Sequence, residues 1–458
     1  MRRLLLPLAP LLGALSGAAA AIAGVPQAAA FTLGVALWCA LWWIAEPVEA
    51  PVTALVPLAL LPLAGVLAPA EIAQAFGHEA ILLLAGGFML SQAVAASGLH
   101  RRFALAVLRA VGGGSPRRLV FAFALAAGLI SMWVSNTATA LMLLPIALAL
   151  LEGHPERERL TVPVLLAIAY GASVGGLGTP IGTPPNLIFL GVYRESTGRS
   201  IGFLEWLGFG VPLLALFLPL LALWLGRGLG GAAVASAPPA RPGPWTPAER
   251  RVLWVFLAVI ALWVTRTAPG GGWSGLLGLR HANDAAVALL GVLALAVLPD
   301  GGGGRLLPWS RAAAIPWGIL VLFAGGLALA QAFASSGLGA LLAARLSALA
   351  ALPPWLVVLS VTTAMIFLTE ITSNTAAAAL AMPVLASAAL AAGVDPALFM
   401  LPAALAASCA FMLPVATAPN AVVYGSGRIP AGRMAREGLV LNLIGIALLA
   451  SLAYLWLD

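Results

Sequence analysis

Ser131-Met132-Trp133-Val134-Ser135-Asn136-Thr137 and Thr369-Glu370-Ile371-Thr372-Ser373-Asn374-Thr375 are two versions of one string, 238 residues apart. Each opens on a hydroxyl and closes on a serine, an asparagine and a threonine. Each lies inside apolar sequence and is followed by an apolar run and a proline, Pro145 or Pro383. One such triplet in a membrane helix serves as hydrogen-bonding glue between helices. Two copies in matching surroundings point to a binding site built from two halves.

The surroundings are those of a membrane. The chain is 62% hydrophobic and 9% charged, with mean hydropathy +1.04, which no soluble domain of this length could bury. Apolar stretches of about 20 residues recur, each long enough to span a bilayer as a helix. The fold class expected is an all-α polytopic membrane protein. The formal net charge of +7 comes with 23 basic residues, all arginine. They fall between the apolar stretches, the pattern of membrane loops and not of a nucleic-acid surface. Arginine without lysine, beside abundant Ala, Gly and Pro, fits a GC-rich bacterial gene. Cys39 and Cys409 fall within apolar spans, which argues against a disulfide framework. The first 24 residues look like a secretory signal, but a second apolar span follows at once, so they are read as an uncleaved first helix.

Eleven crossings are expected, with helices at 4–24, 30–48, 51–68, 79–98, 160–192, 203–226, 251–268, 282–298, 314–334, 397–425 and 437–456. The segments 119–151 and 353–391 carry the triplets at their centres and are read as re-entrant hairpins. With the N-terminus in the cytoplasm, 18 arginines fall inside and 5 outside, as the positive-inside rule requires. Basic residues flank the first hairpin on both sides (Arg117, Arg118; Arg157, Arg159), which places its entry and exit on one face.

Further strings repeat. Leu84-Ala85-Gly86-Gly87 matches Phe323-Ala324-Gly325-Gly326, and Ser97-Gly98-Leu99 matches Ser336-Gly337-Leu338. Gly182-Thr183-Pro184-Pro185-Asn186 matches Ala416-Thr417-Ala418-Pro419-Asn420. The expected organisation is a first half (1–226), a cytoplasmic linker (227–251) and a second half (252–458). The halves run antiparallel in the bilayer, an inverted-topology repeat of the kind secondary transporters use.

A half-helix that starts at such a triplet presents free N–H groups and a positive dipole end, which suit an anion. Side-chain and backbone oxygens at the same turn suit a hard cation. No arginine lies near either triplet in sequence, so bound cations would supply the missing positive charge. Glu370 is the odd residue, read either as a proton or cation ligand or as a hydrogen-bonded structural carboxyl; its counterpart is Met132. Glu46 and Glu49 are read as interfacial or packing residues. No His, Asp or Cys constellation inside the spans suggests an enzyme.

Taken together, both triplets, the two Pro-Asn strings and Trp42-Trp43-Ile44-Ala45-Glu46 with Pro51 and Thr53 resemble the divalent anion/sodium symporter family over nearly the whole chain. The resemblance implies a homodimeric elevator-type transporter in the bacterial cytoplasmic membrane, with a scaffold and a moving domain. It implies Na⁺-coupled symport of a C4-dicarboxylate such as succinate, malate or fumarate, with Na⁺-independent exchange, citrate or sulfate as alternatives. Substrate carboxylates would meet Asn136, Thr137, Thr183, Asn374, Thr375 and Thr417. One Na⁺ would sit among Ser131, Ser135, Asn136 and the Gly182 carbonyl. A second would sit among Thr369, Ser373, Asn374 and the Ala416 carbonyl. Ala418 departs from the family's proline, which would loosen one side of the pocket.

Overall fold

A computed structural model of the chain describes residues 2–457 apart from Gly113, Gly153, Pro155, 231–241, Arg280 and 347–352. The centre of the expected linker, with Arg241 and Arg280 from the arginine count, lies outside the described residues. The described chain is helical throughout, because a helix satisfies its own backbone where no water can. Among the described residues, eight helices are long and apolar enough to cross a membrane. The eleven expected crossings also include shorter apolar helices, such as Ala50–Leu63 and Asp284–Val297.

Both triplet segments break where the sequence requires. Pro116–Ser131 is followed by Asn136–Glu152, and Pro354–Thr369 by Asn374–Ala391. Each first arm starts on a proline, whose missing N–H costs nothing at a helix start. At 1.5 Å per residue these arms are roughly 24–27 Å long, short of the ~30 Å hydrocarbon core.

The spans 160–192 and 397–425, whose Gly/Pro runs 175–186 and 411–420 are expected to break a helix, are each two helices. Arg157–Gly175 passes through a short 3₁₀ turn and resumes as Pro184–Thr197. Ala397–Ala406 stops, and Ala418–Tyr424 follows after an irregular loop. Glycines and prolines at these places withhold the side-chain packing and N–H groups that a continuous helix needs.

The matching of the halves extends beyond the repeated strings. Glu79–Ser97 leads through Gly98 into Leu99–Val111, and Trp317–Ser335 leads through Gly337 into Leu338–Leu346. Both glycines are left-handed, at φ 80° and 76°, a conformation that only glycine adopts without strain. With Arg101, Arg102 and Arg109, the stretch reads in sequence as a basic loop, but the structure makes it the helix Leu99–Val111. It buries Leu99, Ala104, Leu105 and Leu108, while Arg102 reaches Glu249 at 3.0 Å. Glu249 also closes a capping box with Thr246, so the helix Pro247–Val264 takes the last residues of the expected linker.

Arg157–Gly175 runs through the centre of the molecule, buried along nearly its whole length. It packs against the first triplet arm Pro116–Ser131 with almost no side chain between them. A Cβ at Gly175 would lie 2.2 Å from the Gly128 carbonyl oxygen. This close approach brings the 176–183 loop up to the Ser135-Asn136-Thr137 turn.

Candidate binding site

Both triplets and both broken loops line one cavity of about 580 Å³. The lining comes in matched pairs: Trp133 with Ile371, Ser135 with Ser373, Asn136 with Asn374, Thr137 with Thr375. Ile181 pairs with Val415, Gly182 with Ala416, Thr183 with Thr417, and Pro184 with Ala418. Four helices start at this cavity, at Asn136, Pro184, Asn374 and Ala418. Their positive dipole ends gather where the described lining has no basic side chain. The starts at Pro184 and Ala418 add few free N–H groups, since Pro184, Pro185 and Pro419 have none and the Asn186 and Asn420 backbone amides are bonded.

Behind the first triplet is a nest of oxygens. Fully buried Ser131 donates its hydroxyl to Asn136 Oδ1 at 2.6 Å. A Cβ built on Gly176 would lie 3.0 Å from Asn136 Oδ1 and 3.2 Å from both Asn136 Nδ2 and the Gly182 carbonyl oxygen. Glycine at 176 therefore leaves a space onto which the Asn136 side-chain amide and the Gly182 carbonyl converge. Neutral oxygens of this kind suit a hard monovalent cation better than a softer transition metal. The second half repeats the pattern: fully buried Thr369 donates to Asn374 Oδ1 at 2.6 Å and is 2.8 Å from the Ala407 carbonyl.

The structure thus brings together all the residues expected from the sequence. Asn136, Thr137, Thr183, Asn374, Thr375 and Thr417 face the cavity, as do Ser135, Gly182, Ser373 and Ala416. Ser131 and Thr369 sit behind it, against the asparagines. Thr183 additionally lies 3.3 Å from the Ser408 hydroxyl, which ties the first half's loop to the second half.

Two residues with a role here escaped the sequence reading. Asn186 and Asn420 close the two Pro-Asn strings, with no role that the sequence pattern assigns them. Both are fully buried, and both side-chain amides staple the loop that precedes them. Asn186 donates to the carbonyls of Gly176 and Thr179 at 2.9 and 2.8 Å. Asn420 donates to those of Ala410 and Leu413 at 3.1 and 3.0 Å. The spacing, ten and seven residues back, is the same in both halves. These bonds satisfy carbonyls that the broken helices release.

Glu370 is a staple as well. It is buried and lies outside the cavity lining. Its Oε1 accepts from the Phe411 and Met412 amides at 2.8 and 2.9 Å and from Asn442 Nδ2 at 2.7 Å. Its Oε2 accepts from the Leu413 amide at 3.0 Å. Of the two readings of Glu370, the hydrogen-bonded structural carboxyl is the one the geometry matches. The first half locks its loop the other way round: the Thr179 hydroxyl donates to the Met132 carbonyl at 2.5 Å. Ala418 does not shift its helix start. Thr417 and Thr183 cap at nearly the same dihedrals (φ −136°, ψ 151° and φ −149°, ψ 144°), and Pro419 keeps a proline in the first turn. Glu46, read from sequence as interfacial or packing, lines the cavity.

A citrate transporter family model (CitMHS) matches residues 40–404. The sodium-dependent dicarboxylate transporter SdcS of Staphylococcus saprophyticus is 37% identical over 447 residues, covering 93% of this chain and 85% of that protein. SdcS of Staphylococcus aureus is 36% identical over 452 residues, covering 94% and 86%. Among solved structures, the chain is similar to the YdaH transporter of Alcanivorax borkumensis (TM-score 0.60, 21% identity, 83% and 86% covered). It is also similar to MtrF of Neisseria gonorrhoeae (TM-score 0.61, 13% identity, 87% and 84% covered). At those identities the two structures speak for the fold alone. With its paired triplets on one cavity and its family match over most of its length, the chain belongs to the citrate transporter family of multi-pass membrane transporters, as a protein of the divalent anion/sodium symporter type.

Proposed function

We propose that the chain carries a C4-dicarboxylate, such as succinate, malate or fumarate, across the bacterial cytoplasmic membrane by Na⁺-coupled symport. The observation that carries this reading is the paired arrangement: two oxygen nests, Ser131–Asn136 and Thr369–Asn374, behind one cavity onto which four helices start. One anion shared between the triplets would take donors from Asn136, Thr137, Thr183, Asn374, Thr375 and Thr417. One Na⁺ would be held by Ser131, Ser135, Asn136 and the Gly182 carbonyl, the other by Thr369, Ser373, Asn374 and the Ala416 carbonyl. Here Na⁺ is a second cargo, and its charge offsets the dianion in a site without a basic side chain. The 37% identity to SdcS, a sodium-dependent dicarboxylate transporter, supports both cargoes.

The same reading takes the triplet segments as re-entrant hairpins in an inverted repeat, with the N-terminus cytoplasmic. The hairpins, the broken helices and the cavity between them would move as one body against a scaffold, in a homodimer. Short arms broken at the triplets support the hairpins. The test is uptake of labelled succinate by purified protein in liposomes. An inward Na⁺ gradient is expected to drive accumulation. Uptake indifferent to Na⁺ but dependent on internal dicarboxylate would identify an exchanger instead.

A further inference from the structure

Among the described residues, Glu46 is the one charged side chain on the cavity lining. It follows the helix Gln27–Ala45 as its C-cap, at φ 46° and ψ 54°. Among the described residues it is the only non-glycine with positive φ. A side chain there is strained, and glycine would sit there freely. Strain held at a cavity wall is characteristic of functional positions. Its carboxylate has no hydrogen-bond or ion-pair partner among the described residues, and the helix end beneath it already carries partial negative charge. Neither packing, capping nor charge pairing accounts for a glutamate at this position.

Helices also start on this cavity at Asn136, Pro184 and Asn374, so a fixed negative charge and positive helix ends line it together. We propose that Glu46 is a charge filter: a fixed like charge that sets how much negative charge an anion may bring into the cavity. This deepens the proposed function and rests on it. Coulomb repulsion grows with each unit of charge on the anion, while hydrogen bonds from neutral donors saturate. A sphere of the cavity's volume is roughly 10 Å across, about one Debye length at 0.1 M salt, so inside the protein such repulsion is screened only in part. At the effective dielectric of protein interiors, one further unit of substrate charge is disfavoured by about tenfold. A dianion is thereby preferred to a trianion of similar donors.

The experiment compares succinate and citrate as ligands of the purified full chain at pH 8 and saturating Na⁺, by competition against labelled succinate. Glu46→Gln is expected to lower the citrate-to-succinate ratio of half-saturating concentrations about tenfold, with the Na⁺ requirement unchanged. Glu46→Gly removes the same charge and relieves the backbone, so it keeps the test alive if the glutamine variant fails to fold. It is expected to shift the ratio equally. Glu46→Asp, which retains the charge, and Glu49→Gln, outside the cavity lining, are expected to leave the ratio within about twofold of wild type, since neither alters the charge facing the anion. An unchanged ratio in Glu46→Gln and Glu46→Gly overturns the filter. So does a raised Na⁺ requirement with equal loss of both anions, which would make Glu46 a cation ligand. If the wild-type protein bound neither anion, the proposed function itself would fall, and the filter with it.

Discussion

Replacing Glu370 separates a staple from a cation ligand. In Glu370→Gln the amide oxygen can still accept from Phe411, Met412 and Asn442, but the amide nitrogen then faces the Leu413 N–H. One buried donor loses its acceptor, which costs about 1–3 kcal/mol. Three charge-assisted bonds become neutral ones, weakening each by about half and adding about 2–3 kcal/mol. The sum, about 3–6 kcal/mol, is a large share of the stability of an ordinary fold. For a chain this long, with unfolding entropy near 1 kcal/mol per degree, it corresponds to a fall of about 3–6 °C in Tm. The measurement is thermal unfolding of purified Glu370→Gln in detergent, first without Na⁺ and then across a Na⁺ titration. The lower Tm is expected already without Na⁺, because the bonds that hold the loop 411–413 come from Glu370 itself and need no cation. Transport is expected to fall with it, since that loop leads directly to Ala416 and Thr417. A variant with wild-type Tm in the absence of Na⁺ and a raised Na⁺ requirement would refute this reasoning. Ligand loss alone changes stability only when the ligand is present.

Asn136→Ala and Asn374→Ala are each expected to abolish Na⁺-driven uptake while the protein still inserts and folds, as size-exclusion profiles and uptake together would show. Gly176→Ala puts a methyl group 3.0 Å from Asn136 Oδ1, so the half-saturating Na⁺ concentration is expected to rise at least tenfold, read from Na⁺-induced thermal stabilisation. Asn186→Leu and Asn420→Leu each free two buried carbonyls, at a cost of about 1–3 kcal/mol apiece. Both variants are expected to lose Tm and transport together, whereas wild-type uptake by either would remove the loop staples from the mechanism.

Much of the site was legible because its physical signature is local. A polar triplet in hydrocarbon must find partners, and a Gly/Pro string cannot continue a helix, so both breaks announced themselves in the letters. Repetition at offsets of 238 and 234 residues paired them before any coordinates did. The residues expected at the cavity and behind it are found there. The arm Leu99–Val111 was not legible, because its arginines read as a loop and only the packing of Leu105 and Leu108 reveals its buried face.

Asn186, Asn420, Glu370 and Glu46 mark the boundary between the two sources of information. Sequence by itself determined that this is a membrane protein in which two polar strings repeat, and it pointed to those repeated triplets as the place to look for a site. Those conclusions follow from hydropathy and from the cost of polar groups in lipid, both properties of the chain read in order. Only the tertiary structure decided what each lone polar residue does, because its partners lie elsewhere in the chain. Glu370 meets its amide donors 41 to 43 residues onward. Asn186 and Asn420 turn back onto loops whose course exists only once the helices break. Glu46 differs from Glu49 not in composition but in facing the cavity, held there by a backbone conformation that no local pattern announces.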